Sequence, residues 1–341
     1  APRDIFSYRL NVASGLKDQF SDQFTINLER EFLKNFSVSA TFIYKHSGNL
    51  FANVPVMRTS VPALGLSAGD FWPYDRVSAT DLSGKPIQLF SIRVLDYNGD
   101  GVVNGQDVAW IGANSAFEVM NMSAIQSFIG AKAKRDYQGY QLVFNKRYSN
   151  RWQLLASLLF SHSNGMANRI YSQDMNFEGP MVTDNNWMSS LNYTINNMTG
   201  TLPFTPKFEL KISGSYTIPK VDMDLGVRFR MHTGRPIWQL EGISQISQWN
   251  YPGPADGVVE GGIGTIVGET TPQYLPAQAI IDFRLEKTFK LARYGSFNVI
   301  LDVFNLFNSN TPTSIDYQWE YGRINSILSP RAFRLSFMYQ F

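Results

Sequence analysis

Residues 96–107, with the sequence DYNGDGVVNGQD, have the donor spacing of a twelve-residue calcium-binding loop. Oxygen donors stand at positions 1, 3, 5, 9 and 12, a glycine stands at position 6, and position 7 offers its backbone carbonyl. Calcium is a hard cation that takes about six to eight oxygen ligands, so this segment suits it. The predicted ligands of a structural calcium ion are Asp96, Asn98, Asp100, Val102, Asn104 and Asp107.

A second interpretation of this segment stays open at the level of sequence. Position 12 is Asp107, whereas a glutamate at that position would reach the ion with both oxygens, so we expect weaker binding. No amphipathic helix precedes the segment, which makes it a lone loop without a partner loop. The same Asp and Asn side chains could instead accept hydrogen bonds from their own backbone in a series of tight turns. In either case, the expected role is to stiffen the surrounding connection.

Tryptophans supply the second kind of candidate chemistry. The chain has seven of them, and all except Trp152 fall in long segments without strand periodicity. Exposed rings next to Asn, Gln and Asp side chains could stack on a sugar or a peptide. Alternatively, the long segments bury these rings in small cores of their own. The predicted ligand-binding residues are Trp72, Trp110, Trp187, Trp238, Trp249 and Trp319.

Other kinds of chemistry find little support, and no catalytic residue or further cofactor site is predicted. The chain has no cysteine, its three histidines are isolated from other metal ligands, and no serine lies in a nucleophile-elbow motif. A total of 30 basic against 28 acidic residues gives no positive stripe for a nucleic acid. We therefore expect a protein that is neither an enzyme nor a nucleic-acid binder.

Alternation of apolar and polar residues is the main structural signal along the 341 residues. In the last strand Phe333, Leu335 and Phe337 alternate with Arg334 and Ser336. About nine such strands can be recognised, and the composition is 14% aromatic and only 17% charged. An all-β, antiparallel transmembrane sheet is predicted, with the apolar row facing lipid. The charged residues of the opposite row, which would face the lumen of a barrel, are Arg228, Arg230, Asp282, Arg284, Glu286 and Asp302.

The predicted strands are joined by short and long connections in alternation. Short turns are expected near 33–35, 148–151, 219–222 and 292–295. Long loops are expected at about 48–131, 165–206, 235–276 and 308–330. Outer-membrane barrels have short periplasmic turns and long extracellular loops, which this pattern matches. A soluble antiparallel sheet covered by a second layer is the alternative, but strands of up to about a dozen residues argue against it.

Several segments also resemble the C-terminal barrel of TonB-dependent outer-membrane receptors, in the branch that includes the Oar-like and SusC-like proteins. They are IDFRLEKTFKL at 281–291, FNVILDVFNLFN at 297–308 and PRAFRLSFMYQF at 330–341. The hairpin with SDQFTINLERE at 21–31 and FSVSATFIY at 36–44 is similar to one of the same family. The segment DVFNLFN together with the terminal Phe341 is the most specific part of this resemblance.

The resemblance implies that residues 1–341 are the C-terminal part of a larger barrel of about 22 strands. The expected function is energised import of an extracellular nutrient, an oligosaccharide or a peptide, across the outer membrane of a Gram-negative bacterium. The partners it implies are outer-membrane lipid, the remaining strands, a plug domain that this chain lacks, the TonB complex and a SusD-like surface lipoprotein. A surface-exposed, calcium-stiffened binding or adhesion barrel without transport is the alternative.

Overall fold

The computed structural model of the protein describes residues 10–71, 74–80, 86–93, 95–103, 106–107, 110, 114–125, 133–166, 199–202, 205–237, 239–243, 249–250, 263–267, 273–316 and 323–341. Its strands, in chain order, are β1 (Leu10–Val12), β2 (Phe20–Leu33), β3 (Phe36–Gly48), β4 (Phe51–Met57), β5 (Tyr74–Thr80), β6 (Pro86–Arg93), β7 (Ser115–Asn121), β8 (Arg135–Ser149), β9 (Trp152–Met166), β10 (Thr199–Thr201), β11 (Phe208–Ile218), β12 (Met223–His232), β13 (Pro236–Ile237), β14 (Gln239–Ile243), β15 (Trp249–Asn250), β16 (Ile263–Val267), β17 (Gln273–Tyr274), β18 (Gln278–Lys290), β19 (Ser296–Phe304), β20 (Pro312–Asp316), β21 (Arg323–Ile327) and β22 (Ala332–Gln340).

The main sheet is an antiparallel row of nine long strands that follow one another in chain order. Its order is β2-β3-β8-β9-β11-β12-β18-β19-β22, and the short β10 pairs with β9 beside this row. All nine strands predicted from the alternation are present. In the part of the chain that the structure describes, β2 and β22 form the two edges of the row and do not pair with each other.

Short turns join alternate pairs of neighbouring strands, so all of them lie at one end of the sheet. They join β2 to β3, β8 to β9, β11 to β12 and β18 to β19, as predicted. Tight hairpins need positive φ angles, and the β8–β9 turn supplies two of them, 50° at Asn150 and 70° at Arg151. We call this end of the sheet the turn end and the opposite end the loop end.

The two faces of the sheet differ in polarity because neighbouring strands keep their apolar residues in register. Ile212, for example, pairs with Ala156 on one side and with Phe229 on the other. We call the face with this apolar row the outer face. Its side chains are widely exposed, with fractions of 71% at Leu28 and 67% at Phe333. An apolar surface of this extent is suited to lipid rather than to water.

The connections at the loop end contain small sheets of their own. Strands β1, β7 and β4 form one of them, β15, β6 and β5 form another, and three two-stranded pairs complete the set among the described residues. No helix in the described part is both long and apolar enough to span a membrane. Several apolar side chains at the loop end are almost fully buried, namely Leu50, Val54, Met57, Met122, Met166 and Leu202.

Two asparagines of the segment DVFNLFN form hydrogen bonds to the backbone at the loop end of β19. Asn305 has a left-handed backbone with a φ of 49°, and its side chain donates to the carbonyls of Ser309 (2.9 Å) and Ser329 (2.8 Å). Asn308 is also left-handed, and its Oδ1 accepts the N–H of Arg331 at 2.8 Å. Asparagine tolerates this backbone conformation better than most residues. The two asparagines therefore fix the connection between β19 and β22 at its base.

Candidate functional site

The calcium-type loop at 96–107 is closed by hydrogen bonds from its own backbone to its acidic side chains. Asp96 Oδ1 accepts the N–H groups of Gly99 (2.8 Å) and Asp100 (3.0 Å), and Asp96 Oδ2 accepts the N–H of Gly101 (2.9 Å). Asp100 Oδ1 in turn accepts the N–H of Val102 at 2.8 Å. The carboxylates at positions 1 and 5 are therefore oriented by the backbone N–H groups of the turn.

Asp107 connects the end of the loop to its beginning. This side chain is fully buried, and its Oδ1 accepts the N–H groups of Tyr97 (2.8 Å) and Asn98 (3.2 Å). A buried carboxylate needs such donors, since burying an unpaired charge is costly. The residue at position 12 therefore lies beside positions 2 and 3, which closes the loop. Asn104, the predicted ligand at position 9, lies outside the described residues.

The donor set of this loop suits a hard cation, because each of its members is an oxygen. No three His, Cys, Asp or Glu side chains among the described residues are grouped in a way that could hold a metal ion. The three predicted acidic ligands, Asp96, Asp100 and Asp107, therefore form no such group, and the Asn98 side chain and the Val102 carbonyl would have to supply further oxygens. A carboxylate oxygen that accepts an amide N–H keeps a lone pair for a cation. The hydrogen bonds of the tight-turn interpretation are therefore present, whereas calcium remains a prediction.

Trp110 packs in a small core beneath this loop. Its ring stacks on that of Tyr97, with centroids 5.8 Å apart and an interplanar angle of 13°. Met57 and Tyr97 are buried at the centre of the cluster, and Leu95 and Val103 pack against them. This is the arrangement that the alternative interpretation of the loop tryptophans describes. The ring of Trp110 is half-buried and holds the calcium-type loop against β4.

The other predicted ligand-binding tryptophans are not brought together among the described residues. Trp72, Trp187, Trp238 and Trp319 lie outside them. Trp249 lies in β15, which pairs in parallel with β6, and the structure describes its backbone but not its side chain. Ligand binding by these five tryptophans therefore stays a prediction.

The face opposite the apolar row carries the charged residues that the sequence assigned to a lumen, and we call it the inner face. Its strongest contact is at Asp302, which is 5% exposed and whose Oδ2 accepts two hydrogen bonds from Arg334, at 2.8 and 3.0 Å. Arg284 approaches the other oxygen of Asp302 at 3.7 Å. Asp302 therefore joins β18, β19 and β22 through charge-assisted contacts.

Arg228 and Arg230 follow each other along the inner face of β12. Asp282 is the register partner of Arg228, but its Oδ1 accepts the N–H of Asn305 at 2.9 Å. Among the described residues, no ion pair joins either arginine to an acid. The inner face therefore has two cationic groups available for contacts beyond the described residues.

Sequence reasoning missed one charged cluster on the outer face at the loop end. His46 Nδ1 lies 2.6 Å from Asp136 Oδ1, and Lys134 Nζ lies 2.6 Å from Asp136 Oδ2. The hydrogen bond and the charge of Asp136 raise the pKa of Lys134. His46 and Asp136 are 90 positions apart. Only the pairing of β3 with β8 brings them together, so no local motif could have revealed the cluster.

Comparisons with known proteins identify the fold. No family model and no curated protein matches the chain. The outer membrane transporter YddB from Escherichia coli is similar in structure, with 12% sequence identity and a TM-score of 0.50 over 96% of this chain and 33% of that chain. Two further similar structures have lower TM-scores. They are FpvA from Pseudomonas aeruginosa PAO1, with 11% identity and a TM-score of 0.47 over 100% of this chain and 32% of that chain, and the ferric-catecholate import receptor Fiu from E. coli K12, with 14% identity and a TM-score of 0.44 over 97% of this chain and 30% of that chain.

The chain thus spans about a third of the length of YddB. The similarity confirms the predicted fold, an all-β antiparallel sheet that forms part of an outer-membrane β-barrel. A sheet with this apolar outer face needs a bilayer around it, which supports the predicted outer-membrane location.

Proposed function

We propose that the chain is part of the barrel of a TonB-dependent transporter in the outer membrane of a Gram-negative bacterium. The observation that carries this proposal is the division of one sheet into an exposed apolar face and a charged face, with every short turn at one end. Porin-like barrels and plugged transporters share this plan. The similar structure of YddB, which is described as an outer membrane transporter, favours the second kind.

The proposed partners follow from the inner face and from the edges of the sheet. Arg228 and Arg230 form no ion pair with a described acid, and β2 and β22 each have an unpaired edge among the described residues. Edges of this length cannot stay bare in a membrane, so further strands must pair with them. We assign the inner arginines to contacts with a plug domain, and energy coupling to TonB through that domain.

The proposed ligand is an oligosaccharide or a peptide that the connections at the loop end capture. In the sequence, each of the four long loops has more acidic than basic residues, whereas the remainder of the chain is net basic. An acidic entrance disfavours anionic ligands, although salt screens such effects beyond about 8–10 Å. A SusD-like lipoprotein covering the loops would be a further partner of this proposal.

An uptake experiment tests import against the alternative, a surface barrel that binds without transport. Fluorescent oligosaccharide and peptide mixtures would be offered to cells with and without the gene, before and after a protonophore removes the energy supply. Import predicts gene-dependent internal fluorescence that the protonophore abolishes. Gene-dependent fluorescence that stays at the cell surface and is insensitive to the protonophore would refute import and favour the binding barrel.

We also propose that the loop at 96–107 binds a structural calcium ion. The support is the burial of Asp107 against the start of the loop, together with the backbone N–H groups that orient the carboxylates of Asp96 and Asp100. When bound, calcium would neutralise these carboxylates and fix the loop on the core that contains Tyr97 and Trp110. The ion would thus stiffen the first long connection.

Replacement of both Asp96 and Asp100 by asparagine is expected to abolish terbium binding. The amide oxygens still accept the backbone N–H groups, so the turn can form, but two negative charges are lost. Terbium luminescence sensitised by Tyr97 and Trp110, which stack 5.8 Å apart next to the loop, measures the occupancy in the full-length protein.

Asp70→Ala is the matched control, because Asp70 is an exposed acid in the same connection that accepts the Ser67 N–H outside the motif. This variant should keep the terbium signal. Emission that is unchanged in the Asp96→Asn/Asp100→Asn variant would leave only the tight-turn interpretation.

A further inference from the structure

A groove opens on the outer face of the sheet, near the turn end of β9, β11 and β12. Its volume is about 340 Å³. Gly214 lines the groove between its register partners Leu154 and Val227 of the apolar row. The Leu154 side chain lies against this glycine, with Cδ1 3.2 Å from where a Cβ would stand. The groove therefore interrupts a surface that is otherwise covered by apolar side chains.

Two aromatic residues close the groove toward the turn end. Trp152 and Tyr216 are register partners on β9 and β11, and both line the groove. Tryptophan and tyrosine are enriched where hydrocarbon meets the polar region of a membrane. The groove thus extends from the hydrocarbon to the interface, and the adjacent short turns lie in the polar region beyond it.

Cationic residues are concentrated in the turns beyond these aromatic rings. Arg151 stands in the β8–β9 turn, where its carbonyl accepts the N–H of Thr217, the residue after Tyr216. Lys220 stands in the β11–β12 turn and is exposed. Lys287 on β18 donates through Nζ to the carbonyl of Val221 in that same turn. Three basic residues therefore lie in or beside the two short turns next to the aromatic end of the groove.

The acid in these turns does not cancel this charge. Asp222 belongs to the β11–β12 turn, and its carboxylate already pairs with Lys290 Nζ at 3.0 Å. The order along the outer face is thus an apolar groove, an aromatic pair and then a net positive group. An anionic glycerophospholipid has the complementary order, with an acyl chain, an ester region and a phosphate.

We propose that this groove binds one anionic glycerophospholipid from the membrane leaflet at the turn end. One acyl chain lies along Leu154, Gly214 and Val227, and the phosphate lies among Arg151, Lys220 and Lys287. The proposal rests on the membrane-spanning barrel and on the orientation given above, but it does not require import. Each basic side chain next to an anionic lipid contributes about 1 kcal/mol, which is about five-fold in relative affinity.

Fluorescence quenching by brominated lipids tests the site in the full-length protein reconstituted into phosphatidylcholine vesicles. A fixed minor fraction of the lipid is replaced by dibrominated phosphatidylglycerol or, in the second arm, by dibrominated phosphatidylcholine. The contribution of Trp152 is obtained by difference from the Trp152→Phe variant. We expect stronger quenching of Trp152 by phosphatidylglycerol, and a relative affinity that falls about five-fold for each cation removed in Arg151→Gln/Lys220→Gln.

Two further variants separate a defined site from general attraction to a charged surface. Lys34→Gln/Arg293→Gln removes the same charge from exposed positions in the other short turns and should keep the preference. Val227→Phe should fill the groove and remove the preference for phosphatidylglycerol without any change of charge. Heat-modifiable migration on a gel checks that each variant is folded.

Equal quenching by the two lipids would overturn the proposal. So would an equal loss of the preference for phosphatidylglycerol in Arg151→Gln/Lys220→Gln and in Lys34→Gln/Arg293→Gln. An intact preference in Val227→Phe would also overturn it. Because quenching is independent of uptake, a failure here leaves the transport experiment unaffected, and a failure of transport leaves the lipid result standing.

Discussion

Substitution of Ala40 by arginine is expected to lower the free energy of unfolding of the barrel by about 2–4 kcal/mol. Ala40 lies on the outer face of β3, between Leu28 of β2 and Leu142 of β8, and about midway between Phe36 and Tyr44. A guanidinium at this depth would have to reside in hydrocarbon, where no water solvates it. Denaturant unfolding of the full-length protein in lipid vesicles measures the loss.

Ser39→Arg is the control for this substitution. Ser39 is the preceding residue on the same strand, and it points to the inner face, where Glu29 is its register partner. Ser39→Arg adds the same charge as Ala40→Arg and enlarges the side chain by a similar amount. It should nevertheless lower the free energy of unfolding by less than about 1 kcal/mol, since an exposed ion pair with Glu29 can form. If both variants lost the same stability, the assignment of the apolar row to lipid would be wrong.

Lys146→Met is expected to destabilise the β8–β9 hairpin by about 3 kcal/mol, given that a hydrogen bond to a charged group contributes about 1.5–3 kcal/mol. Lys146 is 1% exposed although it forms no ion pair with a described acid. Its Nζ donates to the carbonyls of Arg147 (2.9 Å), Ser149 (2.7 Å) and Trp152 (3.0 Å) and to Ser149 Oγ (2.6 Å). Methionine fills the space but leaves these acceptors without a donor.

Aromatic rings add to the effect of this lysine. Its Nζ lies 4.5 Å from the ring centroid of Trp152 and 5.5 Å from that of Phe36, within the range of cation–π attraction. Amide hydrogen exchange of the β8–β9 turn and denaturant unfolding both measure the change. Lys34→Met, at an exposed lysine of the β2–β3 turn, serves as the control and should be nearly neutral. Unchanged exchange in Lys146→Met would show that the buried ammonium contributes nothing to the turn.

The nine strands, their faces and the short turns could be predicted from the sequence because they depend on local patterns. Alternation of apolar and polar residues has a period of two, so it assigns each residue to a face once a strand is recognised. The charged residues placed on the inner face, from Arg228 to Asp302, lie there in the structure. The short connections followed from the spacing between strands.

The contents of the long connections were much harder to predict. Strand β1 pairs in parallel with β7, so that Leu10 lies opposite Phe117, and no local pattern indicates a partner so far along the chain. Likewise, the sequence left open whether Trp110 is a ligand platform or part of a small core. Its stacking on Tyr97 depends on how the loop folds back on β4.

The amino-acid sequence by itself determined the strand scaffold, its two faces and the donor spacing of the calcium-type loop, since each of these is set by residues a few positions apart. Only the tertiary structure decided which distant side chains meet. It buried Lys146 in a turn, brought His46 to Asp136, and formed the groove beside Gly214 on β9, β11 and β12. The physical reason is that sheet pairing joins residues by register, and the register is a property of the assembled strands.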